Sequence, residues 1–235
     1  MRYAVHDVFE TVQGEGAHSG KRAVFVRFSG CNLWSGIKRT RSAGLGACAA
    51  WCDTDFRPRM KLTAAEIVTA IRASVSRWST PGLIVFTGGE PLLQLDQALI
   101  AAVNEAFQVT IAVETNGTLV PKFAADNVWF ACAPKLAQDG SLLPLLLTHA
   151  HEVKVIVPGH PSAGWSPEKL AALEDWSPYA EHWLHAADPA SELASLGRSD
   201  TSQAFRDNVA ICVRLQRVRP CWRLGVQAHK VWKLP

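Results

Sequence analysis

Apolar, strand-like runs recur along this chain, and several hand over directly to a glycine-rich or polar motif. Ala23–Ser29 reads as a buried strand ending in Gly30-Cys31, and Leu83–Phe86 as another that runs into Thr87-Gly88-Gly89-Glu90-Pro91. Val109–Val113 leads into Glu114-Thr115-Asn116-Gly117, and further strands are expected at Val128–Cys132, Val153–Val157, His182–His185 and Trp222–Val226. Helical patterns fall between them. Thr63 and Glu66 make a capping box ahead of Ile67, Ile71 and Val75, Leu92–Phe107 reads as a helix, and Ser166-Pro167 opens another. Phe205–Val218 carries an apolar stripe at Val209, Cys212, Leu215 and Val218 that Pro220 ends. Such alternation argues for an α/β fold, a mainly parallel sheet with helices outside, open or closed into a partial barrel. The carboxyl edge of such a sheet is where sites are built.

With 235 residues, no internal repeat and no linker-like tract, residues 1–235 are expected to form one domain with a real core. The net charge of +3 is spread along the chain, so nucleic acid and anionic membrane are not expected as main partners. No leader pattern or membrane-length apolar run is seen, which makes a cytoplasmic location the expectation. In a reducing compartment six cysteines stay thiols, and three of them cluster.

Those three are Cys31, Cys48 and Cys52, with sixteen residues in the first gap and three in the second. Three thiolates can hold three irons of a 4Fe–4S cluster and leave the fourth iron for another ligand, whereas a cluster used only for electron transfer normally has four cysteines. Zinc usually wants four ligands. Within residues 21–57 there is no histidine and no fourth cysteine, and His18 is the nearest candidate. Free thiols, a zinc site and a cluster all remain open from the cysteines alone. Cys132, Cys212 and Cys221 are isolated and read as structural. The Gly-Gly-Glu-Pro run is by itself a good turn before a helix, but its glycines would also let backbone groups approach an amino-acid ligand.

Longer motifs narrow the choice. Phe9-Glu10-Thr11-Val12-Gln13-Gly14-Glu15-Gly16, Arg27-Phe28-Ser29-Gly30-Cys31-Asn32-Leu33-Trp34, Cys52-Asp53-Thr54-Asp55-Phe56, the Gly-Gly-Glu-Pro turn, Glu114-Thr115-Asn116-Gly117 and the tail from Trp222-Arg223-Leu224 to His229-Lys230 occur in that order. Together they resemble the radical S-adenosylmethionine superfamily and, within it, the 7-carboxy-7-deazaguanine synthases, over essentially the whole chain.

The resemblance implies a partial TIM-like barrel, the radical SAM fold, with a cluster-binding insertion at about 31–62 and a C-terminal tail that folds back to the active site. It implies that Cys31, Cys48 and Cys52 ligate a 4Fe–4S cluster and that S-adenosylmethionine binds the remaining iron. Trp51, Gly88, Gly89, Glu90, Glu114, Asn116, Lys135 and Asp188 are then expected around this cofactor. Gln13, Gly14, Glu15, Arg27, Gln227, His229 and the terminal Pro235 are expected around a pterin, and Thr54 at a Mg2+ ion. The implied reaction cleaves the cofactor to a 5′-deoxyadenosyl radical and converts 6-carboxy-5,6,7,8-tetrahydropterin to 7-carboxy-7-deazaguanine with loss of ammonia, in queuosine biosynthesis. An electron donor such as flavodoxin and a homodimer also follow from the resemblance. The rivals are an activating enzyme that places a glycyl radical on a partner protein and a non-enzymatic iron–sulfur or zinc protein.

The chain departs from the family pattern in three places. Both gaps between the cysteines exceed the superfamily's usual spacing. Ala133-Pro134-Lys135 stands where Ser-Pro-Lys is common, and His185-Ala186-Ala187-Asp188 where Gln-Pro-Met-Asp is common.

Overall fold

Seven strands run parallel and in chain order, as the alternation of elements requires. A computed structural model describes residues 1–75, 80–158, 164–189 and 201–234. The parallel set is β2 (Arg22–Phe28), β4 (Leu83–Gly88), β5 (Thr110–Thr115), β6 (Val128–Cys132), β7 (Glu152–Val157), β8 (Glu181–Ala186) and β9 (Arg223–Gly225). Two antiparallel strands extend its first edge, β1 (Tyr3–Val12) against β2 and β3 (Met60–Leu62) against β1. Edges β3 and β9 do not pair with each other, so the sheet is an incomplete barrel.

The outward residues of the strands form the main core. Val24, Val26, Phe28, Ile84, Phe86, Ile111 and Val113 pack against Ile67 and Ile71 of α1 (Ala64–Ser74) and Leu99, Ile100 and Val103 of α2 (Gln97–Phe107). The capping box expected at Thr63 is formed, with the Glu66 carboxylate accepting the Thr63 N–H at 2.6 Å. The opposite face carries Ala23, Phe25, Leu83, Val85, Ala112 and Trp129 low in the bore. The period-two alternation of strands then puts Arg27, Thr87, Glu114 and Lys154 on this same inner face, further toward the carboxyl ends. Among the described residues three further helices follow: α3 (Pro167–Trp176), α4 (Thr201–Val218) and α5 (Ala228–Val231).

Several local expectations change. The ten-residue β1 is longer than any motif in its sequence suggested, and its register shifts between Val5 and Asp7. The helix expected over Leu92–Phe107 is instead a 3-10 turn at Pro91–Leu93 followed by α2. Two acidic caps divide it, because Glu90 accepts the Leu92 N–H at 3.0 Å and Asp96 the Leu99 N–H at 3.0 Å. Between them, Gln94 bonds the carbonyls of Ala4 and Ser29 and so ties β1 to β2.

On α4 the buried face is Asn208, Cys212 and Leu215, while Val209 and Val218 are 38% and 61% exposed. Asn208 donates to the Ala187 carbonyl at 2.9 Å, so a polar residue occupies the face the stripe gave to Val209. Cys132 and Cys212 are buried as structural residues are, but Cys221 is exposed. The β5–β6 and β6–β7 connections contain no α-helix, a gap in the alternation that leaves room for long loops at the carboxyl edge.

Candidate functional site

The inner-face side chains meet at the carboxyl edge around one cavity of about 460 Å³. Lys154 is the hub of its polar wall. Its ammonium lies 2.7 Å from Glu114 Oε1 and 3.3 Å from Glu15 Oε2, with the lysine side chain only 2% exposed. Gln13 Nε2 donates to Glu114 Oε1 at 3.1 Å, the Thr87 hydroxyl to Glu114 Oε2 at 3.0 Å, and Gln227 Nε2 to Glu15 Oε1 at 2.7 Å. Burial, the largest single influence, would raise Glu15 and Glu114, but the Lys154 ammonium together with the hydrogen bonds from Gln227 to Glu15 and from Lys154 and Gln13 to Glu114 holds both below the ordinary carboxylate range. Burial likewise works against the charge on Lys154, and Glu114, Glu15 and Glu152 more than compensate, so the lysine stays protonated.

Gln13, Gly14 and Glu15 reach this wall from the β1–β2 turn. That turn is pinned on the far side of the bore, where Glu152 at the start of β7 accepts the Ala17 N–H at 2.6 Å. Gly16 makes the approach possible, because it adopts φ +66° and a Cβ there would sit 2.2 Å from Glu152 Oε2. Arg27 lies across from Asp7, 3.5 Å from its Oδ2, and its guanidinium is 5.1 Å from the Phe9 ring centroid. The register shift in β1 re-aims Asp7 toward this arginine.

The opposite wall is the cysteine loop. Cys31, Cys48 and Cys52 all line the cavity as free thiols, and Cys31 and Cys52 pack against Trp34, Ala49 and Phe56. Ala47–Ala50 form a 3-10 turn, and the Cys52 N–H closes back on the Cys48 carbonyl at 2.8 Å. The long first gap is folded into the site, because Arg41 donates to the carbonyls of Ala49 and Cys52 and stacks 4.8 Å from Trp34. Burial pushes all three thiols up; for Cys52, with Asp53 and the neighbouring thiols adding to it, the value is about 11. Among the described residues no three His, Cys, Asp or Glu side chains converge closely enough to hold a single metal ion. Three free thiols face one cavity, the donor set that a cluster with one open iron takes.

The Gly-Gly-Glu-Pro turn joins the two walls. A Cβ on Gly88, at φ +123°, would sit 2.1 Å from the Phe28 carbonyl oxygen, and one on Gly89 would sit 2.0 Å from that of Gly30. Close packing on the end of β2 and the turn that leads to Cys31 is therefore one reason for both glycines, and both also line the cavity. Glu90 does not line it. Its side chain is fully buried and accepts from the Asn116 N–H at 2.7 Å, the Thr115 hydroxyl at 2.8 Å and the Leu92 N–H. It shapes the turn after β5 and so places Asn116, whose side chain bonds Asn32 at 3.0 Å.

The tail closes the remaining side. The Ala228 N–H donates to the Gly14 carbonyl at 2.9 Å, and a Cβ on Gly14 would sit 2.4 Å from His229 Nδ1. Lys230 pairs with Asp53 on the cysteine loop and lies 3.6 Å from Asp188 after β8. Trp51, Thr54, Asn116, Lys135, Asp188, Gln227 and His229 also line the cavity, as do Ala133 and Pro134. Pro235 lies outside the described residues. His185 is fully buried behind this wall, against Gly225, and neither ring nitrogen has a hydrogen-bond partner among the described residues.

Comparisons with known proteins agree in kind. The chain is 38% identical over 241 residues to the 7-carboxy-7-deazaguanine synthase of Bordetella pertussis, covering 100% of both chains. It is also 38% identical over 242 residues to that of Caulobacter vibrioides, again covering 100% of both. This chain belongs to the 7-carboxy-7-deazaguanine synthase family. No family model matches it. The crystal structure of QueE from Escherichia coli superposes with a TM-score of 0.69 at 23% identity, covering 97% of this chain and 95% of that one, and shows the same fold.

Within this family frame, Lys154 is a buried charged group of the cavity wall that sequence reasoning passed over, and Asp7, which pairs with Arg27, is a second charged group it passed over. Lys154 stood in plain view inside the apolar run Val153–Val157, where a buried lysine needs a partner. Asp7 gave no such signal, because its role depends on a register shift in β1.

Proposed function

We propose that this chain acts as its family's name describes, as a 7-carboxy-7-deazaguanine synthase. It is a carbon–nitrogen lyase that converts 6-carboxy-5,6,7,8-tetrahydropterin to 7-carboxy-7-deazaguanine with loss of ammonia. The observation that supports this most is a single cavity with three free cysteines on one wall and Gln13, Glu15, Arg27, Glu114 and Lys154 on another. A 4Fe–4S cluster held by Cys31, Cys48 and Cys52, with S-adenosylmethionine beside it, supplies when bound a radical able to take a hydrogen atom from carbon.

The protein's own part is to bind, orient and shield. Arg27 meets the substrate carboxylate, a bidentate match that a lysine would not give. Glu15 accepts from ring N–H groups, while Glu114 holds Gln13, Thr87 and Lys154 in place behind it. Trp51 lies at the adenine, and Gly88, Gly89, Asn116, Lys135 and Asp188 surround the rest of the cofactor, with Glu90 acting through the turn it braces. Thr54 offers one hydroxyl to Mg2+, which takes hard oxygen ligands and would complete its shell from substrate and water. Gln227 and His229 close the pocket over the pterin.

A volume of about 460 Å³ bounded by the tail suits a small molecule, whereas a glycyl-radical activase needs an open groove for a peptide. No helix among the described residues is long and apolar enough to cross a membrane. A cytoplasmic homodimer of one-domain chains, reduced by a donor such as flavodoxin, completes the proposal. Anaerobically reconstituted protein, given the carboxy-tetrahydropterin, S-adenosylmethionine, Mg2+ and a reductant, should yield the deazapurine by mass spectrometry. Cofactor cleavage without that product would overturn the assignment.

A further inference from the structure

Lys154 sits where a hydrogen-bond donor and free acceptors stand side by side. Its ammonium carries three N–H groups. Among the described residues two carboxylates partner it, Glu114 Oε1 at 2.7 Å and Glu15 Oε2 at 3.3 Å, which leaves one N–H for the cavity it lines. A carboxylate oxygen has two acceptor sites. Glu114 Oε1 takes both Lys154 and Gln13, and Oε2 takes Thr87, so Glu114 is nearly filled. Glu15 takes one donor on each oxygen, Gln227 on Oε1 and Lys154 on Oε2, and keeps an acceptor site on each. The wall thus offers one donor beside two acceptors, held by charges that cannot relax without stranding a buried ion.

We propose that Lys154 is a specificity-determining residue that donates to the ring carbonyl of a 2-amino-4-oxopyrimidine, while Glu15 accepts from the adjacent ring N–H and amino group. The inference rests on the cavity being a pterin site and adds the group that reads the ring. A 2-amino-4-oxopyrimidine presents an acceptor followed by two donors, the complement of this wall. The deazaguanine product retains that edge, so substrate and product are gripped alike. A 4-amino ring would set its own donor against the ammonium, and a site built around a buried hydrogen bond rejects such a ligand strongly.

The test compares binding of 6-carboxypterin and 2,4-diamino-6-carboxypteridine to the reconstituted holoenzyme with S-adenosylmethionine and no reductant, followed by fluorescence. Wild-type protein should prefer the 4-oxo compound by about tenfold or more, and Lys154→Met should bring the two within about twofold. The double variant Lys154→Met with Glu114→Gln removes the stranded charge and should lose the preference in the same way. Wild-type protein that binds both rings equally, or a Lys154→Met protein that binds S-adenosylmethionine and keeps the preference, overturns the inference alone. If wild-type protein binds neither ring, the pterin assignment falls and the inference with it.

Discussion

Single side chains in this molecule are constrained by what lies within a few ångströms, and Gly89 is the sharpest case. A methyl group there meets the Gly30 carbonyl oxygen, a backbone atom that cannot swing aside. Gly89→Ala should cost about 1–3 kcal/mol, the range for overpacking, and should move Cys31 as well. Urea unfolding measures the first effect and the absorbance of the reconstituted cluster the second; a variant with wild-type stability would show that the turn yields. The Glu15–Lys154–Glu114 set makes a statement about pH. Glu15 and Glu114 are held below the ordinary glutamate value of about 4.3, so their contribution to stability is present above it and lost as pH falls through the lowered values. Lys154 is raised, so its contribution persists to beyond about pH 10.4 and is lost only as pH rises through the raised value. The stability difference between wild type and the double variant Lys154→Met with Glu114→Gln should be level from about pH 5 to 9 and shrink below about pH 4. Urea titrations across that range would refute this if the difference held at pH 3. At this scale the sequence showed the acceptors and hid how they are held. Glu15 and Glu114 announced themselves in motifs, whereas the saturation of Glu114 depends on side chains from three separate places, the β1–β2 turn, β4 and β7.

Elements in this fold are joined by a few buried polar clamps. Glu174 at the end of α3 accepts from the Trp222 indole N–H at 2.6 Å and pairs with Arg219, just past α4. Trp222 is fully buried at the start of the last strand, so this carboxylate fastens β9 to the layer of helices. Glu174→Ala should cost about 1–3 kcal/mol, because a buried indole N–H loses its acceptor. For a chain of this size that lowers Tm by about 2–4 °C per kcal/mol, readable by calorimetry; an unchanged Tm would show that the clamp carries nothing. Strands were legible here because β-branched and aromatic runs are short, apolar and bounded by glycine or polar motifs. The division of the Leu92–Phe107 segment was not, since apolar periodicity ran straight across it and only the two acidic caps marked the break. The long β1 was hidden for another reason. Its burial does not alternate cleanly, because the register shifts between Val5 and Asp7, so the sequence carries no strict period of two.

At the scale of the molecule, the cavity needs both halves of the sheet and the tail. Gly14 is where they meet, with His229 packed on its bare Cα. Gly14→Ala should displace the tail while leaving the cysteine wall intact. Reconstituted variant protein is expected to retain its cluster absorbance and to bind 6-carboxypterin at least about tenfold more weakly, since the group that closes the pocket is lost. Weakened cluster uptake with normal pterin binding would contradict the division of the site into two walls. The bond between Glu15 and Gln227 spans 212 positions of chain. Contacts of such separation come late, after the loops they enclose have been ordered. A ligand held by both residues therefore reports on history as well as shape: it finds its pocket only on a molecule whose strands have already assembled in sequence, and binding becomes a certificate of completed folding.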